Sequence, residues 1–292
     1  MKCRFIQAES AHPTIRILCR VLGVPRSTYY SYRRKPPTDS DTLNAELLRE
    51  IRRIHAASNQ RYGQRRIWRE LAKHRPGLGR RRVARLMRDN GLQAKHRRRF
   101  RVTTDSRHSH PVEPNVLARE FTADAPNRRW VGDITYVWTR AGWLYLAVII
   151  DLFSRRVIGW AMSECIDKEL VLKALQMAVG QRQPAAGLLH HTDRGSQYTS
   201  GAYRKALSGY RAIVSMSRKG DCWDNAVSES FFATLKKEAI FGENFNTREQ
   251  AELAILRYLR WYNAERLHSK LGYLSPCEFE NEAAELTSRQ VA

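Results

Sequence analysis

The sequence predicts an α/β domain in its second half, preceded by basic all-α modules. Three observations carry this expectation. Before position 93, apolar residues recur at helical spacing between breakers such as Gly77, Gly79 and Gly91. From Trp130 the chain turns to short β-branched and aromatic runs with tight turns, then alternates helical and strand-like segments. Charge divides at the same place. Residues 1–120 carry 29 basic and 10 acidic side chains, and residues 121–292 carry 22 and 19. Nearly all of the net +22 therefore belongs to the helical half. Such an excess predicts attraction to nucleic acid, each neutralised phosphate adding about −0.9 to the salt slope. A ribosomal or merely soluble basic protein would share it.

Residues 14–34 read as two short helices around a turn. Ile15, Ile17, Leu18, Val21 and Leu22 have apolar helical spacing, and Gly23 suits a left-handed cap. Ser27 is the expected N-cap of a second helix holding Tyr29, Tyr30 and Tyr32. The pattern fits a helix-turn-helix or an ordinary helical hairpin. Pro36 and Pro37 form a linker, and Ser40 and Asp41 are candidate caps for the next helix. Residues 42–92 then offer three apolar stripes: Leu43, Leu47, Leu48, Ile51 and Ile54; Ile67, Trp68 and Leu71; Val83, Leu86 and Met87. Their other faces are rich in arginine, including Arg65, Arg66, Arg81 and Arg82, and Arg97, Arg98 and Arg99 extend the patch. A charge run is usually a solvated face. One sign dominating three helices favours phosphate contact, so these seven arginines are the candidate DNA contacts.

From Trp130 to Met162 three strands with short turns predict an antiparallel meander. Asp167 caps a helix with Leu170, Val171, Ala174, Leu175 and Ala178 inward, followed by a strand over 187–191. A helix over 202–207, a strand over 212–216 and a helix carrying Glu229 complete the series. That order matches the ribonuclease H-like α/β layout. The expected divisions are a helix-turn-helix-like segment (1–38), a basic helical module (39–101), a linker lying against the next domain (102–127), a catalytic core (128–240) and a C-terminal helical extension (241–292). In that extension Thr247 and Gln250 form a capping box, and Leu253, Leu256, Leu259 and Tyr262 an inward stripe. Arg266, His268 and Lys270 either touch DNA or are solvated.

Cys3, Cys19, Cys165, Cys222 and Cys277 are scattered, with no CxxC pair. Neither a zinc ribbon nor a disulfide framework is indicated, and a reducing cytosol fits. No apolar run is long enough to span a bilayer, and Lys2, Arg4, Glu9, Arg16 and Arg20 interrupt any signal-peptide core.

Asp133, Asp193 and Glu229 are the candidate catalytic and metal-binding residues. Asp133 falls mid-strand, where an unpaired charge is disfavoured. Asp193 follows a buried strand, and Glu229 opens a helix whose same face carries Phe232, Ala233 and Lys236. Three converging carboxylates repel one another, and two Mg²⁺ or Mn²⁺ ions would remove that conflict. A pair of such ions suits in-line displacement at a DNA phosphate, with Asp133 bridging both. Lys236 is the candidate contact to substrate DNA. Asp151, Asp221 and Asp224 compete for these roles, Asp151 reading better as a turn cap and Asp224 as the N-cap of the Glu229 helix. His190 and His191 precede Asp193 but lack partners for a zinc site. Strand alternation puts one of them inward and one outward.

The stretch Pro126-Asn127-Arg128-Arg129-Trp130-Val131-Gly132-Asp133-Ile134-Thr135-Tyr136 resembles the first catalytic block of insertion-sequence transposases of the IS3 family. His191-Thr192-Asp193-Arg194-Gly195-Ser196-Gln197-Tyr198 is similar to the second. Gly220-Asp221-Cys222-Trp223-Asp224-Asn225-Ala226 with Glu229-Ser230-Phe231-Phe232 is similar to the third. Tyr262-Asn263, Arg266, His268, Leu271-Gly272-Tyr273 and Ser275-Pro276 resemble the family's C-terminal signature. The likeness runs from about residue 14 to 280.

It implies a retroviral-integrase-like core with a DDE site at Asp133, Asp193 and Glu229, two Mg²⁺ (or Mn²⁺) ions, and Lys236 on DNA. It also implies cleavage and joining of strands at element ends by water and then a 3′-hydroxyl, in the bacterial cytoplasm at the nucleoid. The expected partners are terminal inverted repeats and target DNA, further copies of the chain on DNA, and an upstream-frame product joined by frameshifting. No heptad zipper is visible, so the chain resembles the downstream product alone. Gly132 departs from the family pattern, where a small polar residue is commoner. A non-catalytic DNA-binding regulator of transposition is the alternative, and a ribonuclease H acting on hybrids is a third.

Overall fold

The computed structural model describes residues 2–9, 14–34, 38–95, 113–218 and 222–291. Among them the second half forms a five-stranded sheet in the order β3-β2-β1-β4-β5. Strands β1 (Arg129–Thr139), β2 (Gly142–Asp151) and β3 (Val157–Ser163) make the expected antiparallel meander. After α7 (Lys168–Arg182), β4 (Leu189–Thr192) enters parallel to β1. The chain continues through α8 (Ser196–Thr199) and α9 (Gly201–Gly209) to β5 (Ile213–Met216), parallel to β4. The meander closes by tight turns because its strands are antiparallel. The parallel strands need crossovers, which the helices supply.

Both faces of this sheet are covered. Val131, Val137, Leu144, Leu146, Val148 and Ile150 pack under α10 (Ala226–Leu235) and α11 (Arg248–Ala264), meeting Phe231, Leu235, Ile255 and Tyr258. Trp130, Ala147 and Ile149 pack on the other face under α7 and α9, against Leu170, Ala174 and Tyr203. Two covered faces explain why β2 is an unbroken apolar run rather than an alternating one. The approach of α7 to β3 depends on Gly159. A β-carbon there would lie 2.3 Å from the Ala174 carbonyl oxygen and 2.8 Å from Ala178 Cβ. Asp167 caps α7 as expected, its Oδ1 accepting from the Leu170 N–H at 3.0 Å.

In the first half, α4 (Asp39–Ala57), α5 (Gln64–Ala72) and α6 (Arg80–Asp89) bury Leu47, Ile51, Ile67, Leu71, Val83, Leu86 and Met87 in one cluster. Leu43 stays exposed, one turn too early on α4 to reach it. Ahead of this module, α1 (Lys2–Ala8), α2 (Ile15–Val21) and α3 (Arg26–Arg34) enclose Ile6, Cys19 and Tyr29. Gly23 takes the left-handed conformation between α2 and α3.

Local capping corrects several expectations. Ser27 lies inside α3, whose first turn begins on the Pro25 carbonyl. Ser40 lies inside α4. The cap is Thr38, in a reciprocal box with Asp41. The inward stripe of α11 is Ala251, Ile255, Tyr258, Leu259 and Tyr262, whereas Leu253 and Leu256 are exposed. The tertiary partner of α11 is a face of the sheet, and that selects the i, i+4, i+7, i+8 face over the leucine-rich one. Thr247 caps α11 by accepting from the Gln250 N–H, while Gln250 Oε1 reaches the Asn246 N–H one residue earlier than a capping box requires.

Residues 113–127 lie against the core. The Ser215 hydroxyl accepts the Val116 and Leu117 N–H groups, and Leu117 is buried under the sheet. Arg97, Arg98, Arg99 and Asp221 lie outside the described residues. No described helix is long and apolar enough to cross a membrane.

Candidate active site

Register determines where the two aspartates meet. β1 and β4 run parallel with Val131 opposite His191. Two residues further on, Asp133 and Asp193 stand level on neighbouring chain segments, close enough for the Asp193 charge to act on Asp133. β4 ends at Thr192, so Asp193 opens a turn in which its Oδ1 accepts the Gly195 N–H at 2.9 Å. Asp133 is still within β1, and its Oδ1 accepts the Ile134 N–H at 2.8 Å. Glu229 lies in the first turns of α10, the helix that packs on the Val131 face.

Electrostatics ties these groups together. The Asp133 carboxyl is held well above the usual carboxylate range, first by burial, then by the negative charge of Asp193 and more weakly by that of Glu229. The Ile134 N–H and the Lys236 ammonium pull it the other way. Glu229 is exposed at the rim, and partial desolvation moves its carboxyl up. Lys236 is buried, with Nζ 4.9 Å from the centroid of the Tyr136 ring. It begins a π-helical turn, Lys236–Ile240, that continues α10. Such turns favour functional positions because they re-aim side chains within a helix. Thus Asp133 senses Asp193, Glu229 and Lys236 together. Among the described residues, no three Asp, Glu, His or Cys side chains stand close enough to hold one metal ion. The close acidic pair is Asp133 with Asp193.

His190 and His191 are both fully buried, where one was expected outward. The covered second face of the sheet is the reason. His190 Nε2 lies 2.8 Å from the Tyr203 hydroxyl, and burial lowers its pKa to about 3. His191 bridges the Ser215 and Ser217 hydroxyls at 2.8 and 3.1 Å, and burial lowers it to about 4. Neutral imidazoles thus brace β4 from both sides. Gly132 makes room for this arrangement. A β-carbon there would sit 3.3 Å from His190 Cε1 and 3.3 Å from Thr192 Cγ2.

The competing acids have other partners. Asp151 accepts the Asn127 and Phe153 N–H groups and pairs with Arg182, a turn cap as expected. Asp224 is not the N-cap of α10. That position is Asn225, and Asp224 is buried in the preceding 3₁₀ turn between Arg218, Arg119 and Asn115. Hydrogen bonds from Arg218 and Arg119 hold its carboxyl below the usual range. Asp224 therefore anchors the segment leading to Glu229.

A second anchor was not legible in the sequence. Glu238, buried in the π turn, takes both guanidinium arms of Arg266 at 2.8 Å and the Tyr258 hydroxyl at 3.1 Å. Arg66 approaches it at 3.6 Å and donates to the Leu267 carbonyl, while Arg61 donates to the Glu238 carbonyl and stacks 4.6 Å from the Trp261 ring. Arg66 and Arg266 thus both serve Glu238, and the buried Arg266 is not the solvated charge that was one of its two readings. Burial near those arginines lowers His268 to about 3. Arg82 is half-buried and donates to Asn44. Arg65, Arg81 and Lys270 are exposed.

Two segments match an integrase core domain family, residues 123–222 and 229–283, and residues 42–100 match an HTH-like domain family. The IS600 31 kDa protein of Shigella sonnei is 45% identical over 263 residues, covering 90% of this chain and 97% of the relative. Transposase InsF of insertion sequence IS3A from Escherichia coli K12 is 42% identical over 284 residues, covering 96% and 99%. Among solved structures, the simian T-cell lymphotropic virus intasome with PP2A subunit B56 gamma aligns over 79% of this chain and 74% of that chain, at 15% identity and a TM-score of 0.48. The HTLV-2 integrase catalytic core with magnesium aligns over 54% and 98%, at 17% identity and a TM-score of 0.41. The second half of the molecule is a ribonuclease H-like integrase core behind a helical HTH-like region, and the chain belongs to the IS3 family of insertion-sequence transposases.

Proposed function

We propose that this protein cleaves DNA at the ends of an insertion sequence and transfers the freed strand to a target, with Asp133, Asp193 and Glu229 as its catalytic carboxylates. The observation that carries this reading is the half-buried Asp133, level with Asp193 and raised by desolvation and by the charges of Asp193 and Glu229. A protein that only binds DNA has no use for such crowding, which disfavours the regulator reading.

The donor set fits hard divalent cations. Carboxylate oxygens are the ligands Mg²⁺ and Mn²⁺ prefer, and mutual repulsion among them is what a cation offsets. Asp133, Asp193 and Glu229 are the residues that would hold the ions. Bound there, the pair would supply an activated attacking oxygen and charge stabilisation at the leaving 3′ oxygen. The chain itself orients and neutralises. Lys236 places a cation beside Asp133, suited to a non-bridging phosphate oxygen. Arg65 and Arg81 offer exposed charge for the DNA backbone.

Glu229→Gln tests the assignment in a Mg²⁺-dependent strand-transfer assay on element-end DNA. Loss of at least about 100-fold is expected for removing one such charge at a phosphoryl centre. Full activity in the variant overturns the role of Glu229. The partners proposed are terminal repeats, target DNA, further copies of this chain and an upstream-frame product. Two ends must be held together for transfer, so light scattering should show a multimer when end DNA is added. A persistent monomer refutes that part.

A further inference from the structure

We propose that Trp138 and Trp143, continued inward by Tyr136, form a stacking platform for unpaired bases of the DNA strand whose phosphate lies at Asp133. The inference rests on the strand-transfer reading above and adds to it a surface and its ligand.

Trp138 and Trp143 are a cross-strand pair near the tip of the β1–β2 hairpin. They are 59% and 43% exposed, whereas Trp68, Trp130, Trp160 and Trp261 are more buried. Their rings meet edge-to-face at 4.8 Å, and Trp143 meets Tyr136 at 5.1 Å. Tyr136 in turn carries the Lys236 ammonium 4.9 Å from its ring centroid, and Lys236 acts on Asp133. A continuous series of rings therefore leads from the Lys236 ammonium to the surface.

The hairpin tip is held in place. The Arg140 N–H donates to the Phe245 carbonyl at 3.0 Å, and Arg248 Nε donates to the Trp143 carbonyl at 3.1 Å. Gly142, at φ +110°, lets the Arg248 guanidinium pass 3.0 Å from where a β-carbon would stand. Two exposed indoles fixed in this way are unfavourable in water alone, and a pre-set surface binds at lower entropic cost.

Reach and charge select the occupant. Trp138 is five residues along β1 from Asp133, about 17 Å, or about five stacked nucleotides. Arg140 is exposed beside the two rings. A polyanion bearing flat apolar faces fits both features. Paired bases hide those faces inside the duplex, whereas a locally opened strand offers them.

The test uses the full chain in EDTA, so that binding is read without cleavage. The probes are a fully paired end duplex and the same duplex with about five terminal nucleotides unpaired. Trp138→Ala with Trp143→Ala should weaken binding to the opened duplex by about tenfold per ring lost and leave binding to the paired duplex unchanged. Phenylalanine at both positions should restore most of the difference. Equal affinities of wild type and alanine variant for the opened duplex overturn the platform. Loss of self-association in the alanine variant by light scattering, with DNA binding intact, overturns it in favour of a second copy of this chain as the occupant. Glu229→Gln is the separating control. If it loses strand transfer while the tryptophan variants bind opened DNA normally, the catalytic reading stands and the platform falls.

Discussion

Lowering the pH should loosen the strand that leads to Asp193, through its two histidines. His190 and His191 are fully buried, with pKa values lowered to about 3 and about 4. In the unfolded chain both titrate near about 6.5. The sign follows from proton counting. As pH falls below about 6.5 the unfolded state takes up protons that the folded state refuses, so stability falls. Between pH 7 and pH 5 each histidine should cost about 2 kcal/mol, or about 4 kcal/mol for the pair. Asp133 works in the opposite sense, because its raised carboxyl binds a proton more readily folded than unfolded. Urea unfolding at the two pH values gives the net change, and replacing both histidines by glutamine should remove the histidine part. NMR titration of the two imidazoles in the wild type gives the same answer without a variant. Imidazoles that titrate near about 6.5 in the native protein would refute the claim that this buried pair braces β4 in neutral form.

Two further outcomes follow from packing and charge. Gly159→Ala must push α7 away from β3, because the Ala174 carbonyl oxygen stands 2.3 Å from the new carbon. It should cost about 1–3 kcal/mol or more in chemical unfolding, and an unchanged midpoint contradicts the close approach. Arg81→Ala should lower the salt slope of DNA binding by about 0.9 with little change in melting temperature. Arg66→Ala should do the reverse, since Arg66 supports Glu238 and the Leu267 carbonyl. If the two variants behave alike, the division between surface and structural arginines fails.

Most of the core's layout was legible because it rests on short-range patterning. Trp130 to Met162 encodes a meander through tight turns, and Asp167 marks the start of α7. The acidic positions could be named because Asp133 interrupts an apolar strand and Asp193 follows one. Their level placement could not be read. It needs the parallel register of β1 with β4, which depends on the 49 residues that separate them, β2, β3 and α7 among them.

Arginine shows the limit most clearly. Arg65 and Arg66 are adjacent and equally basic in sequence. One is exposed, and the other turns inward to a carboxylate that lies 172 positions away. The same holds for Arg266, Asp224 and the leucines of α11. Periodicity offers each helix more than one apolar or charged face, and only the surface that finally packs against it selects among them.

The sequence by itself determined the order of strands and helices along the chain and the chemical types available for the site. Those properties come from side-chain period and turn chemistry, which act over a few residues. Tertiary structure decided which charges are spent inside. Glu238 gathers Arg266 and Arg66, Asp224 gathers Arg119 and Arg218, and Asp133 is left beside like charges. Burial makes an unpaired charge costly, so the fold satisfies its ionic groups wherever it can. The place where it leaves carboxylates crowded is the place assigned here to chemistry.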